Sequence, residues 1–435
     1  MTPIDVTGMH RTPTFAEALR FWSRLGFISF GGPAGQIAIM HEELVVRRGW
    51  LDERHFLHAL NYCMLLPGPE AQQLATYIGW LLHGPLGGIA AGLLFILPSV
   101  VLLIGAAWGY CAFGHAAWLM GLLAGAKPAV VAIIIAAAVR LGRRILARPW
   151  AWTVAVAAFG AIFGNVPFPL ILAAAAVVGF AVGRRHPGWI AGFAPEGIAP
   201  MSRLQPGLRP VATLARVATV GLGLWLFAMV FLAVTAGRDG LLVRLGWFFT
   251  KAALLTFGGA YAVLPYVFQG LVDHEQWLTA EQMMDGLALG ETTPGPLIMV
   301  VAFVGFVAAW NLPPLSAAAT LGAIAGGLTA VFFTFLPSFV FILGGAPLVE
   351  QTRGNLRLAG PLAGITAAVV GVIASLGVFF AWHVLWPTGL AGGVRGFELV
   401  LSAAAVFALL ALGWSVIRIV CLCAAAGLLH ATFAP

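Results

Sequence analysis

The chain has 435 residues, of which 61% are hydrophobic and 9% charged, and its formal net charge is +7. Soluble domains carry roughly 25% charged residues, so this composition excludes a soluble enzyme and points to a polytopic membrane protein. The positive balance is concentrated in a few loops, which assigns it to membrane topology and anionic lipid rather than to nucleic acid.

In chain order, the opening MTPIDVTGMHRTPTFAEALRF lacks a basic region followed by an apolar run and a cleavage site, so no removable signal peptide is expected. Arg24 then precedes SFGGP at Ser29 to Pro33, where Gly31, Gly32 and Pro33 let backbone approach a ligand closely. Gln36, Glu42, Glu43, Arg47 and Arg48 follow. Next comes LLPGPEAQQ, which places Pro67, Gly68, Pro69, Glu70, Gln72 and Gln73 inside a long apolar stretch. Proline removes a donor and clashes with the preceding turn, while PGP allows a new helix to start at once. The motif therefore predicts a discontinuous helix, buried or lining a watery cavity. The N–H groups at the positive end of the restarted half-helix are free to seat an anion.

Pro85 to Tyr110, Val217 to Ala236, Pro361 to Phe380 and Phe397 to Val420 are each near the roughly 20 residues that span a bilayer. Trp150 to Gly183 reads as two short segments turning at GNVPFP, and a basic linker runs from Arg184 to Arg216. The four cysteines lie in apolar segments without metal or disulfide spacing and read as packing residues. His55 and His58 have no third ligand at a sensible spacing, so no metal site is expected, and no nucleotide loop or hydrolase elbow is present.

Phe30, Gly31 and Gly32 align on Phe257, Gly258 and Gly259, a displacement of 227 residues. The same displacement carries Trp50 and Leu51 onto Trp277 and Leu278, and Pro67, Gly68 and Pro69 onto Pro294, Gly295 and Pro296. LPS at Leu97 to Ser99 recurs at Leu336 to Ser338, after an insertion around NLPPLS. The chain is thus a duplicated half. Loop charges differ between the halves: Arg140, Arg143, Arg144 and Arg148 match an uncharged stretch near Val378 to Trp386, whereas the loop with Arg353 and Arg357 matches the uncharged stretch near Cys111 to Ala124. Basic loops stay cytoplasmic, so the halves are expected in opposite orientations, as an inverted repeat.

The fold class expected is all-α and polytopic, with roughly 10 to 13 membrane segments and broken or re-entrant helices at the FGG and PGP motifs. Placing Arg47 and Arg140 on one side asks the first PGP segment to enter and leave on one face. The units expected are a first repeat at 1–185, a basic cytoplasmic linker at 186–216, and an inverted second repeat at 217–435 with its linking helix.

Arg24 and Lys251 are cations kept by the repeat, each a few residues before its glycine motif, and are candidates to hold a negative solute. Gln36, Gln72, Thr292 and Thr293 are neutral hydrogen-bonders suited to a desolvated oxyanion. Glu43, Glu70 and Glu291 are the carboxylates nearest the motifs and candidates for coupling protons to anion binding.

FGGPAGQIAIMHEELVVRRGWLDERHF, LPGPEAQQLATYIGW and FILPS, followed by TFGGAYAVLPYVFQGLVDHEQWL, TPGPLIMVVAFVGF and FLPS, resemble the chromate ion transporter family in its long-chain, two-domain form. The resemblance covers nearly the whole chain. It implies a secondary transporter of the bacterial inner membrane that expels chromate and confers chromate resistance, with sulfate as the natural competitor. Carried over, the motif residues are Gly31, Gly32, Pro33, Pro67, Gly68, Pro69, Gly258, Gly259, Pro294, Gly295 and Pro296. One departure is Gly270, which stands where Glu43 lies in the first half, so no symmetric role for that acid is implied. The expected mechanism is alternating access driven by the proton-motive force; sulfate or another oxyanion, uptake or exchange, and an oxyanion channel are the alternatives. No cofactor is expected. The partners expected are chromate or sulfate, protons or another coupling ion, membrane lipids and, as an option, a second copy in a homodimer.

Overall fold

The structure is a computed structural model and describes residues 13–29, 32–114, 116–189, 210–257, 260–313, 319–349, 359–387, 389 and 393–433. In the first half α1 (Phe15–Ile28), α2 (Gly32–His41), α3 (Glu53–Leu65), α4 (Glu70–Phe113), α5 (Ala117–Ile145), α6 (Pro149–Phe163) and α7 (Phe168–Arg185) follow in order. Then come α8 (Pro210–Ala236), α9 (Leu241–Leu255), α10 (Ala260–Phe268), α11 (Ala280–Thr292), α12 (Val300–Asn311), α13 (Ala319–Val349), α14 (Ala359–Leu385), α15 (Gly396–Leu410) and α16 (Val416–Phe433). Among the described residues seven helices are long and apolar enough to cross a membrane, and three shorter ones are apolar. Most of the expected linker, residues 190–209, lies outside the described residues.

Small sequence signals start and stop matching elements in both halves. Asp52 and Thr279, equivalent by the repeat, each cap a helix by accepting from a backbone N–H three residues on, His55 at 2.8 Å and Gln282 at 3.1 Å. Glu42–Arg47 and Gln269–His274 are both π-helical turns. Each is closed by a tryptophan N–H, Trp50 on the Leu44 carbonyl and Trp277 on the Leu271 carbonyl, both at 2.8 Å.

α1 with α2, and α3 with the start of α4, are re-entrant hairpins. Trp50 returns to stack edge-on against Phe21 of α1, 5.4 Å between centroids. The rings of Tyr62 and Tyr77, on opposite sides of the PGP motif, are 5.3 Å apart. A continuous helix would separate them by about 22 Å, so the chain reverses at PGP. It reverses again at His83 and Gly84, where φ of Gly84 is +65°: Gly79 lies against Gly87 and Ala91, and Gly92 against Thr76. Residues 85–113 then cross to the opposite face. In the second half Asn311, at the end of α12, donates to the Trp277 carbonyl at 3.0 Å and to Gln282 at 3.1 Å, so α11 and α12 also open on a single face.

The halves are inverted. Gly88, Gly92 and Ile104 of α4 lie against Leu343, Phe339 and Gly327 of α13, so these equivalent helices run antiparallel. The scaffold around them is exchanged: α5 packs on α15 and α16, and α14 on α6 and α7. Glycines allow those contacts, with Gly125 against Gly427 and Gly364 against Ala175 and Gly179. A Cβ at Gly125 would overlap the backbone of α16, so Gly125→Val is expected to destabilise the protein by about 1–3 kcal/mol, read as a lower melting temperature in detergent.

One expected span is corrected. The run Phe397 to Val420 is two helices, α15 and α16, because the chain turns between them where Gly413 adopts φ +65°. That pair matches α6 and α7 of the first half.

Candidate functional site

The four hairpin tips meet at the centre, and each PGP loop docks on the other half. The Gly68 N–H donates to the Thr256 carbonyl at 2.7 Å, and the Gly295 N–H to the Ser29 carbonyl at 2.7 Å. Ser29 and Thr256 are equivalent residues that close α1 and α9. The Ser99 hydroxyl donates to the Pro294 carbonyl, and its counterpart Ser338 lies beside Gly68. Gly68 and Gly295 have φ of +133° and +108°, backbone that only glycine adopts readily. Non-helical backbone is thus buried in protein, with both loop N–H groups satisfied across the pseudo-twofold axis.

Just after the loops two helices begin. Pro69 and Pro296 are N-caps without a side-chain bond, so the N–H groups that follow have no intrahelical partner. After Pro69 the chain is α-helical at once; after Pro296 it makes a 3-10 turn, Leu297–Met299, before α12. Gln36, Gln72, Gln73 and Ser338 are buried, and the Oε1 atoms of the three glutamines and the Ser338 Oγ have no hydrogen-bond partner. Each such atom costs roughly 1–3 kcal/mol unless a ligand or water meets it. The glutamines match Val263, Met299 and Val300, so this polar set belongs to the first half alone. Gln36 Nε2 also joins the two halves, donating to the carbonyls of Ser29 and Gly295.

A small cleft is lined by Gly32, Gly290, Glu291, Thr293, Gly295 and Leu297, so the first glycine motif faces the second PGP loop. Glu291 is 8% exposed and accepts from the Tyr261 hydroxyl at 2.7 Å. Thr292 and Thr293 donate to backbone carbonyls one turn back, which leaves their oxygens able only to accept. Pro67, Pro69 and Glu70 flank the first loop, and Arg144 of α5 is close enough to Glu70 to act on it electrostatically. Pro33 follows Gly32 in α2.

Other expected residues are not gathered here. Arg24 and Lys251 lie one turn from their hairpin tips on exposed faces, with Phe27 and Leu254 beside them, and do not line the cleft. Glu43 sits in the π-helical turn, where Arg47 and Arg48 donate to it at 3.1 and 3.2 Å. Gly31, Gly258 and Gly259 lie outside the described residues. The sequence reading missed Tyr261, Ser99 and Ser338 as parts of the centre. The two serines carried a signal, since the duplicated LPS places a hydroxyl at the same point of both halves.

The comparisons with known proteins agree with this architecture. The profile of the chromate transporter family matches residues 16–180 and 243–428, one region in each half. The chain is 33% identical over 360 residues to a chromate transport protein of Pseudomonas aeruginosa, covering 82% of this chain and 78% of that one. It is 28% identical over 369 residues to a probable chromate transport protein of Synechococcus elongatus, covering 84% of each. It is 29% identical over 136 residues to an uncharacterized transporter of Bacillus subtilis, covering 31% of this chain and 68% of that one. No solved structure matches significantly. Two family-matching halves, folded as a multi-pass helical protein around crossed PGP loops, make this chain a member of the chromate transporter family.

Proposed function

We propose that the protein is a secondary active transporter that exports chromate across the bacterial inner membrane by alternating access, driven by the proton-motive force. The observation that carries this reading is the crossing of the PGP loops, which sets two helix N-termini and a group of unpartnered buried polar atoms at the centre of an inverted repeat. Oriented N–H groups hold a tetrahedral dianion without full positive charges, and few full charges permit release. Gly32, Pro67, Gly68, Pro69, Gln36, Gln72, Thr293, Pro294, Gly295 and Pro296 form this seat, with Pro33 and Thr292 flanking it.

Arg24 and Lys251 draw the anion inward. Their hairpins open on opposite faces, so each cation serves approach from its own side. Arg24→Ala is expected to raise the KM for chromate by roughly tenfold with kcat little changed and a weaker dependence on salt, measured in sealed vesicles at two ionic strengths. Glu291, buried in the cleft wall, and Glu70, beside the first loop, are the carboxylates that exchange protons with the site. A bound dianion favours their protonated forms, and this links the two fluxes.

The test is labelled chromate and sulfate movement into inverted vesicles, with and without a proton gradient. Chromate accumulation that needs the gradient is expected. Preferential sulfate accumulation would reassign the substrate, and flux that never exceeds equilibrium would make the protein a channel.

A further inference from the structure

Away from the crossed loops, a second buried group joins the halves near the face opposite the arginine cluster. Asp285 of α11 is 4% exposed and lies under α4 and α5. Tyr110, near the end of α4, donates its hydroxyl to Asp285 Oδ2 at 3.1 Å. Lys127 of α5, whose side chain is 20% exposed, brings Nζ to 3.9 Å from Asp285 Oδ1 and 3.6 Å from Glu281 Oε1. At 3.9 Å the first pair attracts but does not hydrogen-bond, and Oδ1 has no hydrogen-bond partner. A buried carboxylate thus lies beside one lysine, with one oxygen left open.

The group is one-sided. By the repeat Asp285 matches His58, Glu281 matches Arg54, Lys127 matches Thr366 and Tyr110 matches Val349, so the first half has no such set. Packing follows the same asymmetry. α11 packs on α5 and α16, whereas the equivalent helix α3 makes no contact of comparable extent with α14 or α7. The hairpin of the second half is thus joined to α5 and α16, while α3 of the first half reaches α13 through the Tyr62 hydroxyl, which donates to the Phe341 carbonyl at 3.0 Å. α11 also leads directly into Glu291 and the second PGP loop, so any movement of α11 moves the site. A buried ion pair is weak evidence for stability but is well suited to act as a switch.

We propose that Asp285 is a proton-binding site that works a gate: ionised, it holds Lys127 and closes this face; protonated at Oδ1, it releases Lys127, and α11 is free to part from α5. The inference rests on the alternating-access reading and adds the group that couples it to protons. The charged and titratable groups on elements packed against α11 are Lys127, Arg140, Arg143 and Arg144 on α5, Glu70, Tyr77, His83, Tyr110 and Cys111 on α4, and Arg418, Cys421, Cys423 and His430 on α16, with Glu281 and Glu291 on α11 itself; of these Lys127, Tyr110 and Glu281 act on Asp285.

The test uses the full chain in vesicles with Cys63, Cys111, Cys421 and Cys423 replaced by alanine and Leu289→Cys added. Leu289 is half-buried on α11, one turn deeper than Asp285. A membrane-impermeant thiol reagent is applied from the face opposite the arginine cluster across a pH series. Labelling is expected to rise as pH falls. Asp285→Asn should label at every pH at the rate reached at low pH, Asp285→Glu should keep the pH dependence, and Tyr110→Phe should move the midpoint up by about one pH unit, because an ionised carboxylate loses a donor. Low labelling in Asp285→Asn, or an unchanged midpoint in Tyr110→Phe, would overturn the gate. Labelling is read without chromate, so the gate stands or falls separately from the substrate: pH-dependent labelling without chromate flux would sink the substrate assignment alone.

Discussion

Gly295→Ala is expected to abolish chromate flux while the protein still reaches the membrane. At φ +108° an L side chain is strained by about 1–3 kcal/mol, and here the space is also taken, because a Cβ would overlap the Ser99 side chain. Relief requires the loop to retreat, which breaks the Gly295 to Ser29 bond and the Ser99 to Pro294 bond together. A combined cost near 3 kcal/mol corresponds to a loss of roughly a hundredfold. Gly68→Ala should behave alike, since its φ is +133° and a Cβ would meet Ser338 and Gln73. Gly105→Ala is the comparison: Gly105 is helical within α4, and nothing stands within 4 Å of a Cβ there. Vesicle flux normalised to protein amount checks the three. Equal activity in Gly105→Ala and Gly295→Ala would mean that the crossed loops are not the transport site.

Glu291→Gln is expected to uncouple transport from the proton gradient. Glutamine preserves the shape and can still accept from Tyr261, as Glu291 does at 2.7 Å, but it has no proton to exchange. The variant should permit chromate exchange between loaded and external pools, while accumulation falls to equilibrium and the pH dependence of exchange flattens. A bound dianion beside an ionised, buried carboxylate is repelled, and the neutral amide removes that repulsion at every pH. Exchange should therefore persist above the pH at which it declines in the wild type. Counterflow at several external pH values measures this. Gradient-driven accumulation that survives in Glu291→Gln would remove the residue from coupling and leave Glu70 and Asp285 to carry it.

The gate and the site share α11. Asp285 and Glu291 are six residues apart on one helix, so a proton on the first frees an element that carries the second. Wild-type coupling then needs both carboxylates, and losing either should leave a different partial reaction: exchange without accumulation for Glu291→Gln, and leak through the opened face for Asp285→Asn.

Much of the architecture was legible in the residues. The repeated FGG, WL, PGP and LPS marks carried the duplication, the arginines made opposite orientations the simplest reading, and the shared side of Arg47 and Arg140 was easiest to reach with a re-entrant PGP segment. These features are local or periodic, and sequence records them directly. The partners of those motifs were not legible. Nothing in the spacing of LLPGPEAQQ says that Gly68 bonds to Thr256, or that Ser99 holds the loop of the other half. An inverted repeat related by a pseudo-twofold axis brings each element to its counterpart's neighbours, which lie far away in the chain. For the same reason nothing in the sequence pairs Lys127 with Asp285. Burial at an interface between halves, which sets Lys127 beside Asp285, makes them a pair. The sequence by itself determined what each half is and which way it faces; only the tertiary structure decided which residues meet, because the contacts at the centre and at the gate are made between the halves and not within them.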